Sequence, residues 1–88
     1  MTRRSDLVQK ANFCRRVIQV QDRYLEKKTD GNTTIYVFRE YIEPEYYISL
    51  TTLYRYLGHP AKRDLKRIEA QLKEMDEAKA AEQLSLKL

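Results

Sequence analysis

The sequence predicts a small all-α domain, and three observations favour this fold class. Apolar residues recur at three- and four-residue intervals along most of the chain, as in helices buried on one face. Only two glycines and two prolines occur among 88 residues, too few for a chain with many tight turns. Apolar residues make up 42% and charged residues 34%, which is typical of a folded, soluble helical protein. We therefore expect a single domain over residues 1–88.

The first helix is predicted over residues 5–28. Ser5 is suited to cap its N-terminus, and Asp6 would follow in the first turn, where the helix dipole favours an acid. The segment TDGN, residues 29–32, is expected to end the helix, with Gly31 in the left-handed conformation. The predicted apolar stripe consists of Leu7, Ala11, Cys14, Ile18 and Leu25, flanked by Val8, Val17 and Tyr24.

The next segment, TTIYVFREYIEPEYY, admits two interpretations. Its β-branched and aromatic residues favour a strand over 33–42, which would make the fold α+β. Helical spacing of the apolar residues gives the cleaner buried face and favours a helix, capped by Asn32 or Thr33. We expect Pro44 to break this helix or to follow its end.

A helix-turn-helix-like core is predicted over residues 33–58, followed by a C-terminal helix over 60–84. Ser49 is suited to cap a short helix that ends at Gly58. In the last helix, apolar residues alternate at intervals of four and three, as in a short coiled-coil seam. This seam consists of Ala61, Leu65, Ile68, Leu72 and Met75, and it suggests a homodimer through the C-terminal helix.

Several function classes find no support in the sequence. No apolar run is long enough to span a membrane, and no apolar stretch follows the basic residues near Arg3, as a secretory signal requires. Cys14, the only cysteine, is expected to be a buried thiol in a reducing cytoplasm. One cysteine and one histidine, His59, do not make an ordinary zinc site, and no glycine-rich phosphate loop is present. We expect neither a metal, a cofactor, a small-molecule substrate nor an enzymatic activity.

The charge distribution points to the two ends of the chain. Net charge is +4 and the pI is about 9.3, a mild basic excess that permits nucleic-acid binding. Residues 1–30 carry eight basic and four acidic side chains, whereas residues 31–59 carry two and three. A second basic block, KRDLKR, lies at residues 62–67.

The stretch ISLTTLYRYLG, residues 48–58, is the candidate DNA-reading helix. Short polar side chains in the first turn and an arginine further along could meet base edges in the major groove, while an apolar back made by Leu53, Tyr56 and Leu57 packs inward. The basic residues that follow recur at helical spacing and could hold backbone phosphates. The predicted DNA-binding residues are Ser49, Thr51, Thr52, Tyr54, Arg55, Lys62, Arg63, Lys66 and Arg67.

The run TTLYRYLG resembles the recognition helix of the helix-turn-helix domain in resolvase/DNA-invertase serine recombinases. This resemblance implies that Thr52, Tyr54 and Arg55 face DNA. A compact motif of this kind has a small residue in its first helix and a glycine in its turn, where this chain has Glu43 and Tyr47. We therefore expect a longer turn and an earlier end to the first helix.

The wider layout, REYI…YYIS…TLYRYL between helices, resembles small uncharacterised proteins of bacterial phages and mobile elements. The expected function is a small sequence-specific DNA-binding protein of regulatory or accessory type, in transcription or a related process. The alternative is a non-enzymatic protein-interaction module in which the TLYRYL helix belongs to the core. Of the seven tyrosines, Tyr41, Tyr47 and Tyr56 are expected in the core.

Overall fold

The protein is all-α, as predicted. The computed structural model describes the backbone of residues 3–86 and the side chains of residues 3–79, and within that range it contains four helices and no strand. The second helix has three consecutive segments. The bounds are α1, Arg4–Lys27; α2, made of Thr34–Val37, Phe38–Ile42 and Glu43–Tyr46; α3, Leu50–Gly58; and α4, Ala61–Leu86. The helical interpretation of residues 33–42 is confirmed, and the strand is excluded.

Helix α1 differs from the prediction at both ends. It begins at Arg4, with Arg3 in the N-cap position, so the prediction of Ser5 as the cap is wrong. Gly31 does not adopt a positive φ, so the predicted left-handed stop is wrong as well. Asn32 stabilises the helix end instead. Its side-chain amide donates to the carbonyl of Lys27 at 2.9 Å, and its side-chain oxygen accepts the N–H of Thr29 at 3.0 Å.

Helix α2 passes through Pro44 without stopping. Thr33 caps its N-terminus, accepting the N–H of Tyr36 at 3.1 Å. The central segment, Phe38–Ile42, is a π-helix, and Pro44 lies at the start of the α-helical segment that follows. A proline has no N–H for the preceding turn, and its ring crowds the carbonyl four residues earlier. The wider π turn gives room for that ring, so the helix continues to Tyr46. The expectation that Pro44 ends the helix is therefore wrong.

Residues 47–49 form a three-residue turn between α2 and α3, shorter than expected from the sequence. Tyr47 takes the left-handed conformation at φ 54° and ψ 42°, directly after the last residue of α2. Ser49 caps α3 as predicted, since its hydroxyl accepts the N–H of Thr52 at 3.1 Å. The predictions of a longer turn and of an earlier end to α2 are both wrong. Tyr47, in the left-handed conformation, turns the chain away from the helix axis directly after α2.

Helix α4 runs antiparallel to α1. Its ion pairs with α1 show the register: Lys62 lies 3.3 Å from the Asp22 carboxylate, Arg15 lies 3.5 Å from Glu69, and Arg4 pairs with Asp76. The apolar seam of α4 packs on α1, with Ala61 and Ile68 buried and Leu65 and Leu72 partly buried. Four of the five seam residues, from Ala61 to Leu72, are therefore occupied within the chain.

Two apolar clusters share α1. The first joins its N-terminal two-thirds to α4, and the second joins its C-terminal part to α2 and α3. Tyr56 packs against both clusters. The first cluster consists of Leu7, Ala11, Cys14, Val17, Ala61 and Ile68; the second consists of Val20, Val37, Phe38, Ile42 and Leu53. We call the α1–α4 part the stalk and the α1–α2–α3 part the head.

Some sequence-based assignments to the core hold and others do not. Leu53 is fully buried, Cys14 is buried, and Tyr41 and Tyr56 are partly buried, as predicted. Leu25 is 68% exposed although the apolar stripe of α1 includes it. The prediction that Tyr47 lies in the core is also wrong, since the left-handed turn directs it into solvent and leaves it 87% exposed.

Candidate nucleic-acid interface

Helix α3 has a buried back and an exposed front. Leu53 is fully buried in the head cluster, and Leu57 packs against the same cluster. Three predicted site residues lie on the opposite side, because a helix places residues three and four apart on one face. Thr51 and Arg55 are exposed, and Tyr54 is 54% exposed. Tyr54 and Arg55 are therefore not packed against α1, an arrangement that would have ruled out recognition by this face.

Ser49 and Thr52 form the capping pair of α3. The two hydroxyl oxygens lie 2.9 Å apart, in addition to the bond from the Thr52 N–H to the Ser49 hydroxyl. A hydroxyl engaged in a cap is less available to a base edge than a free one. The structure thus separates the predicted α3 residues into two groups. Thr51, Tyr54 and Arg55 form the open face, whereas Ser49 and Thr52 fix where the helix begins.

The four predicted basic residues of α4 lie outside its buried seam. All four are exposed, whereas Ala61 and Ile68 of the seam are buried. We call Lys62, Arg63, Lys66 and Arg67 the basic stripe. Lys62 and Arg63 have carboxylates nearby, at 3.3 Å from Asp22 and 3.7 Å from Asp64 respectively. Lys66 and Arg67 form no ion pair within the described residues, so their charges are available to a ligand.

The end of α3 and the start of α4 adjoin, since only His59 and Pro60 separate them. Gln21 of α1 holds this junction. Its side-chain amide donates to the carbonyl of Tyr56 at 2.6 Å and to that of His59 at 2.8 Å. The Tyr56 carbonyl also accepts the N–H of His59 at 3.2 Å, and the His59 carbonyl also accepts the N–H of Ala61 at 2.8 Å, so Gln21 adds to a junction that the backbone already closes. Sequence reasoning missed Gln21, because a glutamine at one position of a long helix carries no signal of a partner 35 residues away.

The outer surface of α2 has the opposite charge. Glu40, Glu43 and Glu45 are exposed there, and the only basic residue of α2 is Arg39. Glu45 is partly neutralised by Arg23, whose Nε lies 3.1 Å from the carboxylate. A polyanion approaching over α2 would meet like charge, whereas α3 and the basic stripe present none on their exposed faces.

Cys14, His59 and Asp64 line one groove between the stalk helices. Its volume is about 420 Å³, and the His59 imidazole Nε2 lies 3.5 Å from the Asp64 carboxylate. Burial raises the pKa of the Cys14 thiol, and the negative charge of Asp64 raises it further. A nucleophilic cysteine needs the reverse shift. This trio therefore gives no support to thiol catalysis.

Two further features, a metal site and a membrane-spanning helix, are absent from the described part of the chain. Among residues 3–86, no three histidine, cysteine or carboxylate side chains group in a way that could hold a metal ion. Over the same residues, no helix combines the length and the apolar character that a membrane span needs.

Comparison with known proteins identifies no relative. No protein-family model matches the chain, and neither a curated protein nor a solved structure shows significant similarity to it.

Proposed function

We propose that this chain is a small sequence-specific DNA-binding protein in which α2, the turn and α3 act as a helix-turn-helix. The observation that carries the proposal is the division of α3 into a fully buried back, Leu53, and an open front of Thr51, Tyr54 and Arg55. A recognition helix needs both: an anchored back fixes its orientation, and hydrogen-bonding side chains reach base edges. Arg55 suits a guanine edge or a phosphate, and the Thr51 methyl suits a thymine methyl.

The turn supports the same proposal. Helix-turn-helix motifs join their helices through three or four residues, often including a glycine. Here three residues suffice, and Tyr47 adopts the left-handed conformation that the glycine usually provides. The likeness of TTLYRYLG to resolvase and invertase recognition helices supports a regulatory or accessory role, and the layout REYI…YYIS…TLYRYL, which resembles small phage and mobile-element proteins, motivates that setting.

The basic stripe supplies the backbone contacts of the proposed complex. Lys66 and Arg67 are exposed and form no ion pair within the described residues, and the stripe begins four residues after Gly58. Phosphate contacts of this kind position a recognition helix without reading sequence. Because α2 carries exposed carboxylates, the duplex is expected to lie over α3 and α4 rather than over α2.

A homodimer through α4 completes the proposal. The seam from Ala61 to Leu72 packs on α1, so a second copy would pair along the later part of the helix, where Met75 is 36% exposed. Two copies related by a two-fold axis would read a palindromic site. Analytical ultracentrifugation at micromolar concentration tests this: a monomer in both the presence and the absence of DNA contradicts it.

Titration against duplex DNA at several salt concentrations tests the main proposal. We expect submicromolar binding to a selected sequence at low salt, with log K falling linearly as log salt rises, because phosphate binding releases counterions. Selection from a random duplex library supplies the sequence. Binding weaker than micromolar at low salt, or without a salt slope, contradicts the proposal.

Two substitutions separate base reading from phosphate binding. Arg55→Ala should relax sequence preference, with a loss of about tenfold on the selected site and little on random DNA. Lys66→Ala should weaken all sequences about equally and reduce the salt slope by about one. Lys73→Ala is the matched control, because it removes the same charge from the same helix outside the basic stripe. If Lys66→Ala and Lys73→Ala weaken DNA binding equally, the basic stripe contributes only through the net charge of the protein and not through specific phosphate contacts.

A second candidate is a protein-interaction module without DNA contact, and one observation favours it. Phe13 is 46% exposed on the rim of the stalk groove, in edge-to-face contact with Tyr56 and His59. Exposed aromatic side chains beside a groove are typical of helix-binding surfaces. This candidate predicts that the wild-type chain binds no selected duplex at submicromolar concentration, which distinguishes it from the first.

A further inference from the structure

Tyr47 combines two properties that are rarely found together. Among the residues that the structure describes, it is the one non-glycine residue with a positive φ, and its side chain is 87% exposed. The left-handed conformation is disfavoured for residues with a Cβ, and glycine or asparagine usually occupies this place at a helix end. Packing does not offset that strain, because the ring lies in solvent. Strain held at an exposed side chain points to a use for that side chain.

Tyr47 lines a polar cleft between α1 and the end of α2. The cleft has a volume of about 460 Å³. Hydrogen-bond donors from α1 line it: Arg15, Arg16, Asn12 and Gln19.

Both arginines of the cleft are held in place. Arg16 donates to the carbonyl of Tyr46 at 3.1 Å, and Arg15 donates to the side-chain oxygen of Asn12 at 3.0 Å. The one carboxylate in the cleft lining is Glu45, and it already accepts from Arg23 at 3.1 Å. Arg15 also lies 3.5 Å from the Glu69 carboxylate, whereas Arg16 has no carboxylate partner within the described residues, so the cleft is rich in hydrogen-bond donors and keeps one guanidinium free of an ion pair. Such a site suits an anion with several acceptor oxygens.

We propose that this cleft, with the Tyr47 hydroxyl, binds a phosphate of the DNA backbone beside the N-terminus of α3. The inference rests on the proposed function and adds a second phosphate contact to that of the basic stripe. The cleft adjoins the proposed recognition helix, because Tyr47 lies two residues before Ser49, the N-cap of α3. This position favours a phosphate of bound DNA over an isolated anion. The two contacts would then flank α3, one before its first turn and one after its last.

Substitution of Tyr47 tests the inference. Tyr47→Phe keeps the backbone conformation and the ring and removes the hydroxyl alone. We expect DNA affinity to fall about fivefold with an unchanged unfolding midpoint, since a hydrogen bond to a charged group is lost. Tyr47→Gly should reduce affinity at least as much while the unfolding midpoint stays equal or rises by a few degrees, because the strain is relieved. Tyr36→Phe, which removes another exposed tyrosine hydroxyl, is the matched control.

Charge supplies an independent measurement. Arg15→Gln keeps a donor and removes one positive charge, so the slope of log K against log salt should fall by about one. Free phosphate at millimolar concentration serves as a second probe. A cleft for backbone phosphate should give no saturable shift of the Arg15 and Arg16 side-chain resonances with the free ion, whereas saturable binding would overturn the assignment to DNA.

The outcomes separate this inference from the proposed function. If the wild-type chain does not bind DNA, both fail. If it binds, but Tyr47→Phe and Tyr47→Gly bind equally well with an unchanged salt slope for Arg15→Gln, this inference alone fails. A lower unfolding midpoint for Tyr47→Gly overturns it as well, because the tyrosine side chain would then support the fold.

Discussion

The head and the stalk enclose their cores differently. In the head, three helices surround the second cluster, and Val20, Val37, Ile42 and Leu53 are fully buried. In the stalk, where α1 and α4 pack together with Tyr56 of α3, Val17 is the one side chain among the five largest fully buried ones. Two cylinders in contact leave a groove on each side, whereas a third helix closes one of them. The largest fully buried side chains therefore lie mainly where a third helix closes the cluster.

The shape of the molecule reflects this difference. The structure measures 65 × 20 × 19 Å with a radius of gyration of 18.2 Å, whereas a compact chain of this length would have about 12 Å. Helix α4 has 26 residues and extends about 39 Å. Since Arg4, at the first turn of α1, pairs with Asp76, the last turns of α4 pass beyond the start of α1. We expect the head to be the more stable part and the end of α4 the less stable.

The largest expected effect contrasts two leucines. Leu53→Ala in the head should reduce the free energy of unfolding by about 3 kcal/mol, because it leaves a cavity that three helices enclose. Leu72→Ala in the stalk removes the same atoms from a partly exposed position and should cost about 1 kcal/mol. Urea titration followed by circular dichroism measures both. Equal losses would show that the two clusters are equally closed.

A smaller effect is expected at the helix start that lies in the head. Ser49→Ala removes the cap of α3 and should cost about 1 kcal/mol. Ser5→Ala in the stalk is the matched control, because Ser5 lies inside α1 and forms no cap, and it should change stability by less than about 0.3 kcal/mol. The same denaturant titration applies. A similar loss for both serines would mean that the cap contributes nothing specific to the head.

The smallest effect is expected at the exposed end of the stalk. The Arg4–Asp76 pair has side chains that are 53% and 58% exposed, so solvent screens its attraction. A double-mutant cycle with Arg4→Ala and Asp76→Ala should give a coupling energy below about 0.5 kcal/mol. A coupling above about 1 kcal/mol would mean that this pair, rather than apolar contact, holds the two stalk helices together.

The two regions also differ in their proposed roles. The head carries the candidate recognition helix and the strained Tyr47, and its closed core holds the back of α3 rigid. The stalk carries the basic stripe at its junction with the head and the length of α4 proposed for dimerisation. A rigid reading surface next to a long pairing helix is an arrangement that dimeric DNA-binding proteins use.

Local chemistry was sufficient to predict part of the fold. Thr33 and Ser49 cap helices as expected, because a hydroxyl before a helical segment satisfies an N–H that has no other partner. The buried back of α3 and the seam of α4 follow from spacing alone. The helical state of residues 34–42 also follows from apolar spacing, against the strand preference of its residue types.

Other features depended on neighbours that a linear pattern does not reveal. Leu25 continues the apolar stripe of α1 but is exposed. Asn32 ends α1 through two side-chain hydrogen bonds, a role that the sequence-based prediction had given to Gly31. A stripe predicts which face of a helix can be buried, and only the packed arrangement decides how far along the helix burial extends.

The candidate site also has features that the sequence predicted and features that it did not. Spacing placed Thr51, Tyr54 and Arg55 on one face and the four basic residues on another, and both faces are exposed. The cleft at Tyr47 was not predicted, because it brings together α1 and the turn, which are about 30 residues apart in sequence. A tyrosine in a left-handed turn has no sequence signature, since residue type alone predicts glycine or asparagine there.

Sequence alone determines the all-α fold class, the caps of α2 and α3, and the division of α3 into a buried and an exposed face. These features depend on interactions within a few residues of the chain. Tertiary structure decided the passage of α2 through Pro44, the three-residue turn, the exposure of Tyr47 and the division into head and stalk. Each of these depends on how helices distant in sequence share the surface of α1, and the free energy of that packing outweighs local preference.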